Sequence, residues 1–143
     1  MKASTSIDYR RQTPAILQAL TEAERVISQQ NFDRRLYHLV KLRASQLNRC
    51  AYCIDLHLRE ARQDGETNER LDRVIVFDRV EDFTEREKAA LAWTDALTLL
   101  GRDSELTALR MRLNESFTES EVAVLTSIVA MINLWNRLQV ASH

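Results

Sequence analysis

The 143-residue sequence predicts an all-α fold of about six to seven helices packed as one domain over residues 1–143. Two observations carry that expectation. Only two glycines and one proline punctuate the chain, whereas a sheet-rich fold of this length needs many more turn residues. Apolar residues also recur at helical spacing through most of the sequence, between recognisable helix caps.

Residues 1–12 carry no such pattern and are expected to form a flexible or arm-like N-terminus. Pro14 suits a first helical turn, and Ile16, Leu17, Leu20, Ala23 and Ile27 continue one face to about Gln30. Asn31 and Asp33 then offer a break and a new cap. Leu36, Leu39, Val40, Arg43 and Leu47 lie on or beside one face of a second helix ending near Asn48, a residue type that tolerates the turn conformation expected there. A third helix should open near Cys50 and stop at Gly65. Residues 67–80 read as a short helix, although Val74 to Phe77 has strand character.

Thr84-Glu85-Arg86-Glu87 has capping-box form and starts a helix expected to run to Gly101. Ser104 offers a cap for the next, through Leu106, Leu109, Met111 and Leu113. Thr118-Glu119-Ser120-Glu121 repeats the capping-box form before the last helix. That helix contains VAVLTSIVAMINLW, apolar almost all round, which implies burial on several sides in the fold centre or in a subunit interface. The mixed Arg/Glu helix faces read as solvated surface.

Composition narrows the functional classes. Hydrophobic residues make up 45% and charged residues 29%, the mixture of a folded globular chain. A net charge of -1 offers no global field for nucleic acid or anionic lipid, so neither is an expected partner. The first twenty residues lack the apolar stretch of a secretory signal, and no apolar run reaches bilayer length, so a cytoplasmic location is expected. There, a close cysteine pair is more often catalytic, redox-active or metal-binding than a permanent cross-link.

The only two cysteines form Cys50-Ala51-Tyr52-Cys53, with His57 following. On a helix turning about 100° per residue, positions 50, 53 and 57 fall within roughly 60° of each other. Two thiols one turn apart can close a small disulfide, and an imidazole at i+4 from Cys53 can hydrogen-bond its sulfur and relay a proton. The helix start and the adjacent Arg49 favour thiolate over thiol. Other readings of the same residues are two cysteines packed as small apolar groups beside an ordinary histidine, or a zinc site. Zinc would need His38 or His143 as a fourth ligand. A thioredoxin-type CxxC would need alternating strands and helices, which the pattern lacks.

The segment YHLVKLRASQLNRCAYCIDLHLREARQDGE, residues 37–66, resembles the core motif of AhpD-like alkylhydroperoxidases in the carboxymuconolactone decarboxylase superfamily. The likeness covers the Ser45-Gln46-Leu47-Asn48 lead-in, the CxxCxxxH spacing and the Gly65 stop. FTEREKAALAWTDALTLL and the final INLWNRLQVA are similar to the family's later helices. The resemblance implies an AhpD-like helical fold assembled as a homo-oligomer, a trimer or hexamer, and a peroxidase acting on hydrogen peroxide or organic hydroperoxides. Cys53 would attack the peroxide, Cys50 would resolve the sulfenic acid as a disulfide, and His57 would serve the proton relay. Electrons would come from a dithiol donor of lipoyl type, with no bound cofactor or metal. Superfamily decarboxylases typically lack the cysteine pair, which favours the redox branch. The family's relay glutamate falls at His38, whose imidazole can pass protons but cannot hold His57 with a fixed negative charge. Tyr52 stands where some members carry histidine. A non-enzymatic redox sensor using the same disulfide, and a zinc-binding or purely structural helical module, are the alternative functions.

Overall fold

The computed structural model describes residues 5–143 and, within them, contains eight α-helices, one 3-10 segment and no strand. The helices are α1 Tyr9–Gln12, α2 Pro14–Ser28, α3 Arg34–Leu47, α4 Ala51–Gln63, α5 Asn68–Arg73, α6 Glu85–Leu99, α7 Leu106–Asn114 and α8 Glu119–Ala141, with the 3-10 segment at Val74–Arg79. Within the stretch expected as an arm, α1 is capped by Asp8, which accepts from the Arg11 amide. The Ile7 amide donates to the Ser142 carbonyl at the far end of α8 (3.0 Å). The first four residues of that stretch lie outside the described residues.

Several helix ends follow from local chemistry. Pro14 occupies the first turn of α2, and the Asp33 carboxylate caps α3 at the Leu36 amide (2.8 Å). Both capping boxes form: Thr84 exchanges bonds with Glu87, and Thr118 with Glu121. Gly65, at φ 91°, ends the α4 turn in a Schellman arrangement in which the Glu66 amide reaches Ala61 O and the Gly65 amide reaches Arg62 O.

Four local expectations are corrected. Asn48 stays right-handed, and Arg49 takes the left-handed position (φ 54°), with the Cys50 amide bonded to Ser45 O and the Arg49 amide to Gln46 O. Leu100 at φ 47°, rather than Gly101, closes α6. Glu105, not Ser104, precedes α7 and makes no side-chain cap, because the Ser104 amide turns back to Gly101 O and leaves Ser104 one residue too early. The helix expected over 67–80 divides into α5 and the 3-10 segment. Residues i and i+3 eclipse in a 3-10 turn, so Val74 and Phe77 are both buried while Ile75 and Val76 between them are exposed.

Helix α3 runs through the middle of the packing, against α4, α6 and α8. Its Leu36, Tyr37 and Val40 join Ala89, Ala90 and Trp93 of α6, Leu113 of α7 and Leu125, Ile128 and Val129 of α8 in one cluster. Leu39 and Leu42 enter a second with Ala61, Leu71, Val74, Phe77, Phe83 and Leu91. Arg43 makes a two-pronged bond to Asp95 of α6 (2.7 and 2.8 Å). Helix α8 is buried along one stripe only. Its other side, through Ala130, Leu134 and Leu138, meets Leu97 and the exposed Leu100 in an apolar groove of about 630 Å3.

Between α3 and α8 runs a buried polar seam. Asn136, fully enclosed, donates to Ser45 Oγ (3.0 Å) and accepts from Asn48 Nδ2 (2.9 Å); the same Asn48 amide donates to Asn133 Oδ1 (2.9 Å). Replacing Asn136 with Ala leaves enclosed donors and acceptors unpaired, which costs about 2–3 kcal/mol. Urea unfolding at neutral pH is expected to show that loss; an unchanged midpoint would mean that water satisfies the seam equally well.

Candidate active site

Helix α4 begins immediately after the left-handed turn at Arg49. Cys50 is its N-cap, in an extended conformation (φ -89°, ψ 96°), and its carbonyl accepts the first helical bond from the Ile54 amide. Cys53 lies in the first turn, and the two sulfurs are joined (S–S 2.16 Å, Cα–Cα 5.3 Å). Both cysteines are buried, but only Cys53 borders the adjoining cavity of about 310 Å3. Helix α4 contributes Tyr52, Cys53, Leu56, His57 and Glu60 to this cavity, α3 contributes Lys41, α2 contributes Glu24, and α8 contributes Ile132, Trp135 and Gln139. The exposed Tyr52 stands on its rim.

His57 is 3% exposed, and its Nδ1 lies 3.0 Å from Glu60 Oε2. The hydrogen bond to His57 holds the Glu60 carboxyl below its ordinary pKa against the opposing effect of burial, and the positive charge of Lys41 adds to this. Glu60 is therefore ionised at neutral pH, so Nδ1 carries the proton and donates. In the neutral ring Nε2 is then the free base. Burial lowers the His57 pKa below that of a free imidazole; the Glu60 bond opposes this, and Lys41 reinforces it.

His38 does not hydrogen-bond to His57. Its Nε2 lies 2.5 Å from Asp64 Oδ2, while Nδ1 is 3.9 Å from Glu60 Oε2 and has no hydrogen-bond partner among the described residues. Glu60 thus stands between the two imidazoles and supplies the fixed negative charge that His38 cannot. Its residue type placed it among the solvated Glu/Arg faces, and the available signal was positional: 53, 57, 60 and 64 follow i, i+4, i+7, i+11 spacing and share one helix face. Lys41 was equally unforeseen. Its ammonium bonds Glu24 Oε1 and Tyr37 Oη, each at 3.1 Å; Tyr37 also donates to Glu24 (2.8 Å), and Trp135 Nε1 donates to the other Glu24 oxygen (3.1 Å). Tyr37, Lys41 and Ser45 follow i, i+4, i+8 spacing on one face of α3, a pattern readable in the sequence. Among the described residues no set of three or more His, Cys, Asp or Glu side chains is placed to hold a metal ion, and no helix is long and apolar enough to cross a membrane.

The lowered His57 pKa has a thermodynamic consequence. In the unfolded chain this imidazole gains a proton near pH 6.5, while in the folded protein it does so only at lower pH. The unfolded state therefore binds more protons within that window, so the stability His57 contributes is present above about pH 6.5 and is lost as the pH falls through the folded value. Glu60 acts in the same direction, below its unfolded value of 4.5. Urea midpoints at about pH 7.5 and 5.5, on either side of the free-imidazole value, should show a loss for wild type that shrinks in His57→Gln. Equal losses in the two proteins would assign the acid sensitivity to other groups.

Residues 14–96 match the carboxymuconolactone decarboxylase family. An uncharacterized protein of Bacillus subtilis (strain 168), YdfG, is 31% identical over 138 residues, covering 96% of this chain and 94% of its own length. A solved structure from Agrobacterium tumefaciens, a protein of unknown function suggested to be the antioxidant defence protein AhpD, superposes with a TM-score of 0.92 at 32% identity, over 97% of this chain and 95% of that one. An uncharacterized peroxidase-related protein from Silicibacter sp. TM1040 (TM-score 0.78, 19% identity, 88% of this chain and 67% of that one) shares the fold. So does the debrominase Bmp8, solved with 2,3,4-tribromopyrrole (TM-score 0.81, 17% identity, 92% and 70%). On the family match and the near full-length likenesses at 31% and 32% identity, the chain belongs to the carboxymuconolactone decarboxylase family and has its AhpD-like helical fold.

Proposed function

We propose that this protein is a thiol peroxidase that reduces hydrogen peroxide or organic hydroperoxides through Cys53. The observation that carries this reading is the placement of Cys53, bonded to Cys50 behind it and bordering a cavity also lined by His57, whose Nδ1 is committed to Glu60. In the reduced protein His57 Nε2 takes the Cys53 proton, and the positive end of α4 favours the resulting thiolate. The sulfur attacks the outer peroxide oxygen. An S–O bond forms, the O–O bond breaks, and the leaving alkoxide takes the proton from His57 as alcohol. Cys50 then attacks the Cys53 sulfenic acid, the S–S bond forms, and the hydroxide that departs leaves as water with the Cys50 proton. A dithiol donor, of which a lipoyl-type carrier is one example, returns two electrons and two protons by thiol–disulfide exchange. In this account Glu60 keeps His57 in the required tautomer, the task the family assigns to a carboxylate at position 38.

The same reading includes self-association. The groove beside Leu97, Leu100, Leu134 and Leu138 is apolar, and a second copy covering it would bury surface that a monomer exposes.

Steady-state peroxide consumption with a dithiol donor tests the chemistry. Activity should vanish in Cys53→Ser and fall by about 10²–10⁴ in His57→Ala; Cys50→Ser should accumulate a sulfenic acid at Cys53. Undiminished consumption by Cys53→Ser would overturn the proposal, and disulfide formation without turnover would make the protein a sensor instead of an enzyme. Sedimentation at micromolar concentration should find a trimer or hexamer. A 16.6 kDa species would remove the assembly.

A further inference from the structure

Resting on the peroxidase reading, we infer that Lys41 stabilises the negative charge that develops on the departing peroxide oxygen, and so contributes directly to O–O bond cleavage. Helix α3 contributes one side chain to the lining of the cavity, the cation of Lys41. The side chain is almost wholly enclosed, at 10% exposed, and belongs to a fixed cluster. Its ammonium has three N–H donors. Among the described residues one is taken by Glu24 Oε1 and one by Tyr37 Oη, which leaves a third without a protein acceptor on a side chain that borders the cavity. Glu24 is itself fixed by Tyr37 and Trp135, so the cation is held in place before any substrate arrives.

Such a donor is more than a counter-ion for Glu24. In peroxide reduction the attacking thiolate loses its charge to the oxygen that leaves, which is an alkoxide or hydroxide and a poor leaving group. A preorganised cation beside that oxygen lowers the energy of the charge as it appears, without reorganising during the reaction. The electrons and atoms are those of the step above: the S–O bond forms, O–O breaks, and the oxygen stabilised by Lys41 then receives the His57 proton. Two groups thus divide the labour. His57 moves the proton, and Lys41 supports the charge until it arrives.

Leaving-group dependence distinguishes this role from a structural one. An alkyl hydroperoxide expels an alkoxide, which needs assistance; peracetic acid expels acetate, which does not. The measurement is the rate of Cys53 oxidation in pre-reduced protein with tert-butyl hydroperoxide and with peracetic acid, for wild type, Lys41→Met and the double variant Lys41→Met/Glu24→Gln. The double variant removes the charge that Lys41→Met would strand and so keeps the test valid if the single variant folds poorly. The expected result is a loss of about 10²-fold or more on the hydroperoxide, with a much smaller loss on the peracid. A change in the thiolate fraction or a distorted site slows both substrates by the same factor, so the ratio of the two rates isolates the effect on the leaving oxygen. An unchanged ratio in both variants would overturn the inference while the peroxidase reading stood. A wild type that oxidises Cys53 with neither substrate would bring down the peroxidase reading, and this inference with it.

Discussion

The thiol pair is located by a turn that is itself held from the opposite side of the fold. Asn48, the last residue before the left-handed Arg49, is bound through one side-chain amide to both Asn133 and Asn136 of α8, and Asn136 reaches back to Ser45 one turn earlier on α3. The chain then reverses through the Arg49 turn and enters α4 at Cys50. A non-glycine residue in the left-handed region costs roughly 1–2 kcal/mol, and the paired amides, buried where hydrogen bonds are electrostatically stronger than in water, offset it. The direction of α4, and with it the position of Cys53, His57 and Glu60 against the cavity, depends on that corner.

Around the cavity the charges are arranged so that no group is isolated. Lys41 is matched by Glu24, and Glu60 by its bond to His57, with the cation of Lys41 also in range of both members of that second pair. Burial disfavours an imidazolium at His57, while the Glu60 bond orients the ring. The combination gives a neutral base near physiological pH with a defined tautomer, which is what activation of a neighbouring thiol requires. His38 and Asp64 lie behind Glu60 as a second imidazole–carboxylate pair, so the departure from the family pattern at position 38 is accompanied by a carboxylate on the next helix rather than by the loss of one.

Much of this was legible from local chemistry. Pro14, Asp33, the two capping boxes and Gly65 act through bonds to residues no more than a few positions away, and the spacing of Cys50, Cys53 and His57 places them on one face whatever the helix packs against. Two ends misled: Arg49 and Leu100 adopt left-handed backbone that favours glycine, next to an asparagine and a glycine that do not, and at Arg49 the preceding Asn48 is held by its side-chain bonds to α8. Val74 to Phe77 had the composition of a strand, but with no strand to pair with its backbone satisfied itself in 3-10 turns and turned Val74 and Phe77 to the core.

The sequence by itself determined the all-helical architecture, most helix boundaries and the thiol–histidine motif, because each follows from periodicity and short-range hydrogen bonding. Only the tertiary structure decided which charged residues belong to the site. Glu60, Lys41 and Glu24 have the residue types of a solvated helix surface, and a carboxylate or ammonium reads the same in sequence whether water or a cavity faces it. The packing of α3 and α8 against α4, with α2 laid on α8, makes that distinction, by removing water from one face of each and leaving their charges to pair with one another.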